Sequence, residues 1–167
     1  MPELINKLRV LPAILALLLS TISLHAQKPN AAAESDEIGT VIEQQKFVFL
    51  ASWIIDYQGN RRQPTPPYSL TVTSDSIECH LPYQGRIYSA PPLEDLWLMG
   101  IRFTSKKYRM VHSEKRSGWD INITPEDTRN VQELHFAVAS KGWTTLFIRS
   151  ADRDRVSYEG RIEPLTD

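Results

Sequence analysis

From Phe47 to Ile162 apolar residues recur at every second position, in short runs separated by turn formers. Successive side chains of a strand point to opposite faces, so a period of two buries one face of a sheet and wets the other. Tyr68, Leu70 and Val72 alternate with Ser69, Thr71 and Thr73. Ile77, Cys79 and Leu81 alternate with Ser76, Glu78 and His80, after a tight turn at Ser74-Asp75. Leu98–Thr104 repeats the pattern, and Lys106-Lys107 read as a turn from which Tyr108–His112 pairs back. Ser113–Gly118 reads as a charged turn, and Trp119, Ile121 and Ile123 as the inward side of the next strand. Leu134, Phe136 and Val138 lead into a hairpin at Lys141-Gly142. Trp143–Ile148 returns, Asp152–Arg155 turns, and Val156, Tyr158 and Ile162 close the pattern.

Roughly nine or ten short strands follow from this spacing. Nothing between them is long enough for a helical crossover, so the strands are antiparallel. Consecutive hairpins predict an up-and-down meander. Closing it into a lipocalin-like β-barrel hides its edges. A β-sandwich is the alternative, because alternation suits both.

Ahead of the strands, Ser35–Gln45 predicts one short helix. Ser35 stands as its N-cap, and Ile38, Val41 and Ile42 share one face. Phe47–Ile55 is apolar on both parities, which calls for cover on both faces.

The first residues read as a secretory leader. Lys7 and Arg9 precede an apolar run at Leu11–Leu24, and Ala26 offers a small residue for cleavage. That run is shorter than the ~20 residues of a spanning helix. The expected organisation is a signal peptide at 1–26, a flexible lead-in at 27–34 and one barrel domain at 35–167. The cleaved product would be periplasmic or secreted, without a membrane span. No cysteine stands at the cleavage point, so no lipid anchor is expected. Losing Lys7, Arg9 and Glu3 takes the net charge from -1 to about -2. That balance gives no basis for nucleic-acid binding.

The densest local signal is Leu81–Pro92, where Pro82, Gly85, Pro91 and Pro92 constrain the backbone among Tyr83, Arg86 and Tyr88. It predicts a sharp connection between strands, with Gly85 at positive φ. Tyr83, Gly85, Arg86, Tyr88 and Trp97 are the candidate ligand-binding or turn residues.

The Leu81-Pro82-Tyr83-x-Gly85-Arg86-x-Tyr88-Ser89-Ala90-Pro91 run resembles domain-of-unknown-function family 4251. So do Phe47-Val48-Phe49, Ile101-x-Phe103-Thr104-Ser105, Gly118-Trp119-Asp120-Ile121-x-Ile123 and Gly142-Trp143. The resemblance spans about Glu37 to Ile162. It implies an exported Bacteroidetes envelope protein with a lipocalin-like barrel, and it carries no catalytic residue. The aromatic that the family pattern has at position 84 is Gln84 here.

Catalytic patterns are weak. Cys79, the only cysteine, lies on the apolar parity as a packed thiol. It excludes an intrachain disulfide and a cysteine-based zinc site. His80, His112 and His135 lack ligand spacing, so no metal or cofactor is expected. Glu94, Asp95, Glu126, Asp127, Asp152 and Asp154 fall in turns as solvated turn formers.

Two readings follow. One is a non-enzymatic binding module for a small ligand at the barrel mouth, with Arg61, Arg62 or Arg86 supplying charge and tryptophans at the rim. The other is a structural or protein-interaction envelope component with a filled barrel. Large residues at Phe49, Trp53, Phe103 and Phe136 weigh toward filling.

Overall fold

The computed structural model describes residues 31–65, 67–89 and 100–165. The leader at 1–26, the start of the lead-in and Trp97 lie outside them.

Helix α1 spans Ala31–Glu43. It begins before the expected Ser35 because Ala31–Ala33 are the strongest helix formers and extend it backwards into the supposed lead-in. Its C-terminus is a Schellman motif. Gln45 N–H donates to Ile42 C=O at 3.1 Å, and Lys46 N–H donates to Val41 C=O at 3.0 Å. Gln45 takes φ 53° there. A non-glycine residue in that conformation costs about 1–2 kcal/mol. The Gln45 side chain is held in turn, since its Oε1 accepts the Tyr108 hydroxyl at 2.9 Å.

Ten strands follow: β1 Phe47–Ile55, β2 Arg61–Arg62, β3 Tyr68–Thr73, β4 Ser76–Pro82, β5 Gly100–Ser105, β6 Tyr108–Lys115, β7 Gly118–Pro125, β8 Val131–Ala139, β9 Trp143–Ser150 and β10 Val156–Pro164. They form one antiparallel sheet in the order β5-β4-β3-β1-β10-β9-β8-β7-β6, with β2 hydrogen-bonded to β1 off that path. Two meanders are thus joined through β1 and β10, which pair from Phe47↔Pro164 to Ile55↔Ser157. The sheet curls into a nearly closed up-and-down barrel.

Without β2 the path holds nine strands, an odd number. Antiparallel neighbours alternate in direction, so β5 and β6 at its two ends run the same way. They cannot form a hairpin, although only Lys106 and Lys107 separate them. The expected pairing of Tyr108–His112 back onto the preceding strand is therefore not made, and β6 pairs with β7. Lys106-Lys107 is a corner, which Asp127 pins. Its carboxylate accepts Ser105 Oγ at 2.5 Å and the Lys106 and Lys107 amides at 2.8 and 3.2 Å. Strand β6 also runs through Ser113–Lys115, expected as turn. An edge strand exposed on both faces needs no apolar alternation, so its pattern does not mark it.

The double-sided apolarity of β1 has a local cause. The β1–β10 register shifts between Ala51 and Trp53, so the strand bulges at Ser52. Before the bulge Phe47 and Phe49 face inward; after it Ile54 does. Trp53, expected inside, is turned onto the outer wall, where the Arg61 guanidinium lies 4.2 Å from its ring centre. Gly160 faces Ala51 across the bulge, where a Cβ would come 2.0 Å from the Leu50 carbonyl oxygen.

The interior is filled. Phe136 meets Phe47 and Phe49 edge to face at 6.0 and 6.1 Å. Leu70, Ile77, Leu81, Ile121, Ile123, Leu134, Leu146 and Tyr158 are wholly buried around them. Cys79 is packed in the same core, and burial pushes its thiol pKa far up, as suits an inert side chain. Helix α1 covers one end. Its Ile38, Val41 and Ile42 are buried, and the Trp119 ring packs against Gly39. Trp143, one of the tryptophans expected at the rim, instead stands exposed on the outer wall against Arg161.

Candidate functional site

The end opposite α1 is crossed by the segment after β4. Pro82 ends that strand. Residues Tyr83–Tyr88 then lean onto Asp152–Asp154, between β9 and β10. Tyr88 N–H donates to Asp152 C=O at 2.7 Å, and Asp154 N–H donates to Arg86 C=O at 3.0 Å. Ile87 and Arg153 form an isolated antiparallel bridge. The Asp154 carboxylate accepts Arg86 N–H at 3.1 Å and also the Tyr88 hydroxyl. Tyr83 folds back beneath the turn, and its hydroxyl donates to Arg86 C=O at 2.7 Å. The segment is a latch that ties the two meanders together away from the β1–β10 seam.

Gly85 makes that fold-back possible. Its φ is 153°, and a Cβ would come 2.6 Å from the Tyr83 hydroxyl oxygen. Burial, with the nearby Asp154 charge, pushes the Tyr83 pKa up to about 12, so the hydroxyl keeps its proton. Arg153 lies 5.0 Å from the centre of the Tyr83 ring and pairs with the buried Asp152 at 2.9 Å. Asn130 Nδ2 donates to the same carboxylate at 3.0 Å.

The sequence candidates thus take different parts. Tyr83 and Gly85 build the latch. Arg86 is exposed, with its guanidinium 5.8 Å from the Tyr57 ring centre. Tyr88 is 65% exposed beyond its bond to Asp154. Trp97 lies outside the described residues. Asp152 is not the solvated turn former that its sequence position suggested: it is buried and charge-paired.

A cleft of about 530 Å³ opens beside the latch, on the outer wall of β7–β10. Its floor is His135 of β8 and Phe147 of β9, direct cross-strand neighbours stacked with ring centres 5.8 Å apart. Asp56 and Tyr57, from the loop after β1, form one side, and Arg149 and Arg155 stand at another. A second hollow of about 410 Å³ shares Tyr57, Arg149 and Arg155 and adds Tyr88 and Asp154.

Asp56 organises its own loop. It accepts the Gln58 and Asn60 amides at 2.9 and 2.8 Å and the Asn60 side chain at 2.8 Å. These bonds, the Asn60 side chain foremost, hold its carboxyl below the usual range. The chemistry on offer is stacking, hydrogen bonding and charge pairing.

Sequence reasoning did not select His135, Phe147, Arg149 or Arg155. One signal was present: Trp143 and Phe147 are large apolar residues on the same parity as Thr145 and Arg149, which is the wet side of β9.

A family model described as "Domain of unknown function (DUF4251)" matches residues 30–162. The chain belongs to the DUF4251 family. The match takes in the latch, both hollows and every described strand up to Ile162 of β10. A crystal structure of a DUF4251 family protein from Bacteroides eggerthii DSM 20697 shares the fold, with a TM-score of 0.60 and 13% identity. The alignment covers 80% of this chain and 89% of that one. None of the curated proteins matches the chain. The DUF4251 resemblance carried by the Leu81–Pro91 run therefore holds over residues 30–162. The same run supplies the latch of this DUF4251 barrel.

Proposed function

We propose that this DUF4251 protein is an exported, non-enzymatic recognition module. Its filled barrel is a rigid scaffold, and it binds a small ligand from outside the barrel wall. One observation carries the reading: Phe147, 47% exposed, is stacked on His135 at the floor of a 530 Å³ cleft, while the barrel interior is packed with side chains. Exposed aromatic rings beside convergent polar groups are the usual makings of a small-molecule site. The non-enzymatic part is supported by the state of the reactive groups. Asp56 and Asp127 are held ionised by their donors, which suits loop anchoring and not proton donation. The latch crosses the expected mouth, which favours the outer wall as the binding face.

Export rests on the Lys7/Arg9 and Leu11–Leu24 pattern, and the product is periplasmic or secreted. Intact-mass measurement of the mature protein should find Gln27 at its N-terminus; a retained leader overturns export. For binding, native mass spectrometry of the protein purified from its own cells should show an added small-molecule mass. Phe147→Ala should lack it. A wild-type protein with no added mass overturns the binding reading.

A second reading has its own support. Among the described strands β6 is an edge, and Val111 on it is 59% exposed. Such an edge suits an envelope protein partner that adds a strand.

A further inference from the structure

The side chains around the outer cleft divide into those already engaged and those left open. Arg149 engages Glu133 through Nε at 3.0 Å, and its Nη1 donates to Gln132 at 2.8 Å. Asp56 is taken by its own loop and by Gln84 Nε2 at 3.3 Å. Asp154, in the adjoining hollow, accepts from Arg86 N–H and the Tyr88 hydroxyl. Every carboxylate facing the two hollows is therefore matched to a donor of this chain. Arg155 lines both hollows, is exposed, and makes no hydrogen bond or ion pair among the described residues. Among the residues that line the two hollows, the guanidinium left open is that of Arg155, in the same cleft as the aromatic floor of Phe147 and His135.

We infer that the outer cleft takes a planar aromatic carboxylate, its ring on Phe147 and His135 and its carboxylate on Arg155. This rests on the reading of the cleft as a binding surface and names the ligand class for it. A guanidinium offers two parallel N–H groups that match the two oxygens of a carboxylate. A phosphate dianion would need a second uncommitted cation, and Arg149 is committed to Glu133. A cleft of about 530 Å³ has room for a two-ring system. Stacking supplies the affinity, and the single cation supplies the choice between acid and neutral analogue.

Naphthalene-2-carboxylate and naphthalene-2-carboxamide, alike in shape, separate these contributions. Both are titrated into the ¹⁵N-labelled mature chain and followed through the amides of β8 and β9. The acid should bind about tenfold more tightly than the amide, the size of one charge-assisted contact. Arg155→Gln should remove that difference, bringing the acid down to the affinity of the amide. Phe147→Ala should weaken both. Equal binding of acid and amide in the parent, with no effect of Arg155→Gln, overturns the anion class and leaves the binding surface standing. Absence of shifts around His135 and Phe147 with either compound also overturns the ligand class. The broader reading then falls only if the natively purified protein carries no small molecule.

Discussion

The Tyr158 hydroxyl, wholly buried in the barrel, donates to the carbonyl oxygen of Pro82 at 2.5 Å. It links β10 to the last residue of β4, two strands that are not neighbours in the sheet. Burial raises the Tyr158 pKa well above its ordinary value, so it remains a neutral donor. Tyr158→Phe keeps the ring and strands the Pro82 carbonyl. It should cost about 1–3 kcal/mol, read as a lower urea midpoint at unchanged slope. An unchanged midpoint would show that the bond adds nothing to stability.

Gly85→Val should destabilise by about 1–3 kcal/mol through backbone strain. Glycine at φ 153° lies far from the left-handed region that asparagine tolerates near 57°. A Cβ of any kind also meets the Tyr83 hydroxyl. Gly85→Asn should therefore be no milder than Gly85→Ala in thermal melts. A near-parental melting point for Asn alone would refute this geometry.

Arg86→Ala should shift stability by about 0.5 kcal/mol or less, the range of an exposed site. The latch uses the Arg86 backbone on both its N–H and its C=O, and these survive the substitution. A loss beyond 1.5 kcal/mol, on the scale of a buried charge-assisted bond, would mean that the guanidinium is holding the latch.

Acid should loosen the corner between β5 and β6. The Ser105 hydroxyl first, then the Lys106 and Lys107 amides, hold the Asp127 carboxyl below its ordinary pKa. A depressed folded value means that its stabilisation is full above the unfolded pKa of about 3.9 and fades as pH falls through the folded value. Melting temperature should drop below about pH 4. Asp127→Asn should lower it at neutral pH and flatten that acid limb. Parallel pH profiles for parent and variant would remove Asp127 from the account.

The strands were legible because their inward residues are held by burial, and burial writes a period of two. The bulge at Ser52 was not legible: a one-residue slip looks, in sequence, like a strand that is apolar throughout. The last residues of β6 carry no such signal, because an exposed edge imposes no pattern. The latch was recognised as a turn from Pro82 and Gly85. Its anchor at Asp152 and Asp154 lies more than sixty residues away, and no local spacing encodes that contact. The floor of the cleft comes from residues on different strands, His135 and Phe147, which only the β8–β9 register makes neighbours.

The β1–β10 seam bears on the order in which the chain folds. The two strands that join the meanders are the first long strand and the last, and their contacts span more than a hundred residues. Each meander can zip locally from its own hairpins. Neither has a partner for its central edge until Pro164 has been synthesised. Contacts of such long sequence separation make barrel closure the slow step, after the local hairpins. Loss of β10 would therefore leave the edges of β1 and β9 free to pair between molecules.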